Sequence, residues 1–240
     1  MGVFRFKKFN VVNERSAMKV NTDGVLLGAA MTISPDDRHL LDIGTGTGTI
    51  ALMAAQRLVG DKPVRVDAID VDEPSAAEAA MNFKQSPWAE SLCAYNMSLD
   101  QFAAEKKTQY DLIFSNPPYF EDSLTAPDER KSTARHTCEG LSYRDIFDYA
   151  QVHLTDRGRV AFVLPADQEA SLCRYGRMCG LHLFRILRIR TVPRKAPSRI
   201  IAEFSRYRNE SVQDEVLTIQ NEGQYTEEYL SLTRDFYLFA

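Results

Sequence analysis

The chain has 240 residues, enough for one substantial domain, and its 44% hydrophobic and 26% charged content excludes a disordered, collagenous or coiled-coil protein. A net charge of −4, from 29 basic and 33 acidic residues, excludes a surface positive all over, while local basic patches stay available to nucleic acid. No apolar run nears the ~18 residues that a membrane-spanning helix needs.

Residues 3–12 set Phe4, Phe6, Phe9 and Val11 against Arg5, Lys7 and Lys8, an alternation that predicts a short strand or ordered arm. Thr22 or Asp23 is the expected cap of a helix over residues 24–31, which Pro35-Asp36-Asp37 ends. Apolar strand segments follow at 39–43, 64–71, 91–97, 110–115, 159–164, 181–190 and 200–206. Helices are expected at 49–58, from Glu73-Pro74 onward, at 143–154 and at 166–179, with Pro74 suited to a first turn. Nearly continuous apolar strands alternating with helices predict a mostly parallel, seven-stranded sheet with helices on both faces. With no repeat and no linker beyond residues 194–198, a single domain over residues 1–240 is expected, with an N-terminal arm and helix (about 1–34) packed on it.

The first strand runs into Gly44-Thr45-Gly46-Thr47-Gly48 and then a helix, so backbone N–H groups at a helix N-terminus meet whatever lies there. Glycine is needed where a ligand approaches the backbone closely. Asp70 ends the second strand, where a carboxylate reaches both hydroxyls of a ribose, and Asp72 is its rival. The dinucleotide pattern GxGxxG fails because Thr49 stands where the third glycine belongs. The run Leu41-Asp42-Ile43-Gly44-Thr45-Gly46-Thr47-Gly48 instead resembles the first motif of class I S-adenosylmethionine methyltransferases, which implies a Rossmann-like fold and sets Asp42 toward the methionine ammonium.

Asn116-Pro117-Pro118-Tyr119 follows the fourth strand of this alternation, on the same rim as the glycine loop. An amino nitrogen conjugated to a ring is a poor nucleophile, because its lone pair is delocalised. The Asn116 side-chain carbonyl and the Pro117 backbone carbonyl are both acceptors, and each can take one of its N–H groups. The nitrogen then pyramidalises, and the same dipoles stabilise the positive charge that develops on it. Two prolines stiffen the segment, and Tyr119 offers a face on which a planar target can stack. No strong base is needed, since the methylated amine sheds its proton afterwards; accordingly, His39, His136, His153 and His182 are read as packing or surface residues.

Together with Phe6-Lys7-Lys8-Phe9, the run Met18 to Gly28, Tyr225-Thr226-Glu227-Glu228-Tyr229 and Asp235-Phe236-Tyr237-Leu238, these motifs resemble the bacterial valine-tRNA adenine-N6-methyltransferase family over residues 4–238. The resemblance implies methylation of the adenine on the 3′ side of the anticodon, with S-adenosylmethionine as cofactor and tRNA as partner. It sets Asp42, Gly44, Thr45, Gly46, Gly48, Asp70 and Asn116 on the cofactor, and Asn116, Pro117 and Tyr119 on the target adenine, with Phe120 beside it. Where such enzymes often hold an acid facing the cofactor's adenine, this chain has Ser98, with Asp100 two residues on.

Three basic groups are candidates for RNA phosphates. They are Arg185, Arg188, Arg190, Arg194, Lys195 and Arg199; Arg130, Lys131 and Arg135; and Arg5, Lys7, Lys8, Arg15 and Lys19. Arg194 and Lys195 are singled out for the substrate. Cys93, Cys138, Cys173 and Cys179 form no CxxC pair, so free thiols in a reducing cytosol are expected, without a metal site or disulfides. The N-terminus lacks a secretory leader and Phe6 breaks a myristoylation motif, which leaves a cytoplasmic monomer as the expectation. The same chemistry on ribosomal RNA, DNA or a protein glutamine is the alternative reading, as is an inactive cofactor-binding adaptor.

Overall fold

The computed structural model describes residues 2–58, 63–118 and 140–240. Among the described residues eight strands form one sheet: β3 (His39–Ile43), β4 (Arg65–Asp70), β5 (Leu92–Asn96), β6 (Tyr110–Ser115), β7 (Leu154–Pro165), β8 (His182–Arg190), β9 (Arg199–Ser205) and β10 (Gln213–Thr218). They lie in the order β10-β8-β9-β7-β6-β3-β4-β5, and only β9 runs against the rest. The carboxyl ends of the seven co-directional strands therefore share one rim, where ligands of open α/β sheets sit.

Seven of these strands match the expected ones, and β10 is the addition that makes eight. Its sequence, Gln213-Asp214-Glu215-Val216, is exposed edge backbone whose charges hide the strand signal. The anticipated N-terminal strand is instead a hairpin of β1 (Val3–Arg5) and β2 (Asn10–Val12), closed by the Phe6 N–H donating to the Phe9 carbonyl at 2.9 Å. Stacking of Phe6 on Phe9, with ring centres 4.5 Å apart, accounts for the reversal.

On one face lie α1 (Thr22–Ala30), α2 (Thr49–Arg57), α3 (Glu73–Lys84) and α7 (Glu227–Thr233), sharing a core that includes Leu26, Leu52, Phe83 and Tyr229. On the other lie α4 (Leu99–Glu105), α5 (Tyr143–His153) and α6 (Glu169–Met178), packed through Phe102, Phe147 and Leu172. Helices α4 and α7 were not anticipated. The cap of α1 is neither Thr22 nor Asp23: the Asn21 side chain, one residue before the first expected cap, accepts from the Gly24 N–H at 2.8 Å, and the helix starts at Thr22 rather than at 24. Among the described residues, no helix is long and apolar enough to cross a membrane.

Candidate active site

Three strand ends are bonded into one unit. Gly44 and Thr45, just past β3, both donate N–H to the Ile69 carbonyl of β4, at 2.9 and 3.0 Å. Ser115, the last residue of β6, donates its hydroxyl to the Ile43 carbonyl at 2.6 Å. Asn116 is thereby fixed beside the glycine loop, and the residue is only 7% exposed.

The loop needs its glycines for conformation and for space. Gly46 has φ +56°, and a Cβ there would stand 3.3 Å from Ser16 Oγ. Gly48 has φ +80°, and a Cβ would fall 2.4 Å from the Phe83 ring. L side chains rarely adopt such angles, so any substitution strains the backbone and pushes it off α3 and the N-terminal arm.

Behind the loop sits Asp42, fully buried. Its Oδ2 accepts from the Thr45 hydroxyl at 2.7 Å, and its Oδ1 has no hydrogen-bond partner. Burial pushes its pKa up to about 7, against the lowering effects of the Thr45 hydroxyl and the Ala51 N–H, with Asp70 adding to the rise. An orphaned buried carboxylate oxygen is costly unless a donor reaches it, and a ligand ammonium is such a donor.

Asp70 accepts from the Gly46 N–H at 2.8 Å and from the Asp72 N–H at 2.9 Å, and so faces the loop. Burial raises its pKa, partly offset by these two donors. Asp72 is otherwise engaged: it caps α3, accepting from the Ser75 N–H and hydroxyl at 3.0 and 2.6 Å. Ser98 caps α4, its oxygen receiving the Gln101 N–H in a reciprocal capping box. Of the adenine-binding candidates, Asn116 and Pro117 are at the rim, while Tyr119 and Phe120 lie outside the described residues.

The anticipated basic clusters part company. Arg185 is drawn into a buried ion pair with Glu203 at 2.7 Å and a second with Glu215, and Arg188 is paired with Glu169 and Asp214. Each guanidinium already meets two carboxylates, which a phosphate would have to displace, so these two arginines are structural. Arg199 bonds Asp23 in the first turn of α1, and Arg190 bonds Thr218. Arg194 and Lys195 are exposed on the loop joining β8 to β9, on the active rim. Lys7 is engaged elsewhere, donating to the carbonyls of Arg234 and Ala240 near the C-terminus. Arg130, Lys131, Arg135, His136 and Cys138 lie outside the described residues.

Sequence reasoning gave Ser16, Met18 and Ser115 no role at the site. Met18 Sδ takes an N–H from Asn116 Nδ2 at 3.4 Å, and its carbonyl oxygen lies 3.7 Å from where a Gly46 Cβ would stand. A methionine between two loops carries no signal that distinguishes it from core filling.

A family model described as the methyltransferase small domain matches residues 16–172. The chain is 40% identical to a Parabacteroides distasonis protein over 98% of its own length and 97% of the relative, and 35% identical to one from Flavobacterium psychrophilum over 98% and 99%. A Yersinia pseudotuberculosis protein is 38% identical over 99% of this chain and 92% of its own. All three carry the name tRNA1(Val) (adenine(37)-N6)-methyltransferase. Among solved structures, an Agrobacterium tumefaciens protein described as a predicted O-methyltransferase superposes with a TM-score of 0.63 at 13% identity, over 89% of this chain and 96% of that one. NSun6 from Pyrococcus horikoshii superposes at 0.57 with 15% identity, over 80% and 53%. These two likenesses bear on the Rossmann-like fold alone.

Proposed function

This chain belongs to the tRNA1(Val) (adenine(37)-N6)-methyltransferase family, and from that premise we propose that it transfers a methyl group from S-adenosylmethionine to the exocyclic N6 of the adenine at position 37 of valine tRNA. The observation that carries this reading is the placement of Asn116 and Pro117 on the rim that also holds the orphaned Asp42 oxygen and the glycine loop.

The residues fit the cofactor. Asp42 Oδ1 offers the acceptor that the methionine ammonium requires, and the positive-φ backbone of Gly44, Gly46 and Gly48, with Thr45 between, leaves room for close approach. Asp70, which faces the loop, would hold the ribose hydroxyls, whereas Asp72 stays on its helix cap. Ser98 has its remaining lone pair to offer the cofactor's adenine amino group. When bound, S-adenosylmethionine supplies an electrophilic methyl on a positively charged sulfur.

Asn116 Oδ1 and the Pro117 carbonyl each accept one N–H of the target amine and hold its nitrogen out of conjugation with the ring. Both dipoles are in place before charge develops, so they stabilise it without reorganising. The surplus proton then leaves to solvent. Tyr119 and Phe120 are the stacking faces for an adenine turned out of the anticodon loop, an eversion that costs a few kcal/mol.

Arg194 and Lys195 receive tRNA phosphates. The β8 end is three strand steps from β6, or about 15 Å at the usual spacing, a distance that the backbone of an anticodon loop can bridge. Replacing both with alanine weakens tRNA binding and lowers the slope of log affinity against log salt by roughly 1–2. Binding isotherms at several salt concentrations check this, and an unchanged slope would exclude the patch.

The decisive experiment combines the purified protein, methyl-labelled S-adenosylmethionine and total tRNA from a strain lacking the gene, followed by nucleoside mass spectrometry. N6-methyladenosine at position 37 of valine tRNA is the expected product. Parallel incubations replace the tRNA with ribosomal RNA, DNA or cell protein: label in one of these alone would transfer the chemistry to another substrate, and no label in any incubation would leave an adaptor.

A further inference from the structure

The amide that the proposed function relies on has to present the correct end. An asparagine amide offers two donors on one side and an acceptor on the other, and a flipped Asn116 would set N–H groups against the N–H groups of the target. We infer that Met18 is a positioning residue for this reaction: its thioether accepts the Asn116 Nδ2–H and thereby turns Oδ1 the other way. The inference rests on the proposed role of Asn116. A thioether sulfur accepts hydrogen bonds and never donates, so the contact at 3.4 Å favours one flip of the amide over the other. It joins residues 98 positions apart in the chain, and therefore depends on what holds the N-terminal arm in place.

That anchorage is a buried polar stripe on α3. Ser75, Glu78 and Asn82 are spaced i, i+3, i+7 and share one helix face, where a solvated surface would be the ordinary expectation. They are only 2%, 1% and 1% exposed. Buried polar groups are costly unless paired, and here the partners are arm backbone.

Glu78 Oε1 accepts the N–H groups of Glu14 and Arg15, each at 2.8 Å, and Oε2 accepts that of Ser16 at 3.0 Å. Burial alone would raise the Glu78 pKa, but these three donors outweigh it and hold the carboxyl below the usual range. Ser75 Oγ takes the Ala17 N–H. Asn82 bonds both polar groups of Val12 and also donates to the Thr47 carbonyl inside the glycine loop. The Ser16 hydroxyl in turn donates to the Met18 carbonyl at 3.0 Å. One helix face thus registers the arm and the cofactor loop together, and the arm delivers Met18 to Asn116.

Met18 is 40% exposed, so its side chain can be exchanged without opening the core. Met18→Leu keeps the shape and removes the acceptor, whereas Met18→Gln restores an acceptor at similar reach. Single-turnover methylation of a tRNA1(Val) transcript gives the rate constant, and calorimetry gives S-adenosylmethionine affinity. Met18→Leu is expected to slow methyl transfer about tenfold with cofactor affinity within about twofold, and Met18→Gln to recover to within about threefold of wild type. A wild-type rate for Met18→Leu overturns the inference alone, as does an equal loss of rate and of cofactor affinity in both variants, which would make Met18 mere wall. Absence of methylation by the unaltered protein overturns the proposed function and this inference with it.

Discussion

Asn116→Ala lowers the methyl-transfer rate constant by about 10³-fold and leaves S-adenosylmethionine affinity within a few-fold of wild type. The asymmetry follows from where the side chain acts. In the proposed reaction its carbonyl meets the target amine, and its full strength is felt only once positive charge develops on the nitrogen, so the loss falls on the transition state. The Pro117 carbonyl remains in the variant and accounts for the residual rate. The fold is expected to persist, because the strand end is held by the Ser115–Ile43 bond, which the substitution does not touch. Single-turnover kinetics and calorimetry on the same preparation measure both quantities. A parallel loss of cofactor affinity would move Asn116 from the target amine to the cofactor.

The strand ends and loops that build this rim were legible in the sequence because their signals are local. Leu41 to Gly48 is a strand, turn and helix start in eight consecutive letters, and the steric reason for its glycines travels with them. Asn116-Pro117 is equally compact. What escaped was long-range. Ser75, Glu78 and Asn82 spell an ordinary solvent face, and only the arrival of backbone from residues 12–17 turns them inward. Arg185 and Arg188 read as phosphate ligands because their carboxylate partners lie 18 to 30 residues away, on strands that pairing alone brings alongside and, for Glu169, at the start of α6. β10 was missed for a related reason: an edge strand needs a neighbour more than it needs apolar residues. Asn21 in place of Thr22 or Asp23 is a matter of one residue, since all three side chains are good caps and only geometry selects among them.

Asp42→Asn separates what the buried carboxyl costs the fold from what it contributes to binding. In the folded chain its pKa is raised, chiefly by burial, to about 7. A carboxyl raised on folding supports the native state when protonated. Its contribution is complete below the unfolded pKa near 3.8 and is lost as pH rises through 7. The neutral amide removes that penalty, so the variant without cofactor melts higher than wild type at alkaline pH, and the gap closes as the medium is acidified. Cofactor binding runs the opposite way. The ammonium needs the charged carboxylate, and wild-type affinity falls by up to about tenfold per pH unit below 7, because a proton must be shed on binding. The variant binds roughly 10–100-fold more weakly above that pH, having lost a charge-assisted hydrogen bond. Asp70 is raised as well, by burial, and persists in the variant, so any slope it imposes survives there. Thermal melts across pH and calorimetry in buffers of different ionisation enthalpy read the two effects independently. A variant that keeps the full wild-type pH slope would assign that proton to Asp70 and leave the Asp42 oxygen without its ligand.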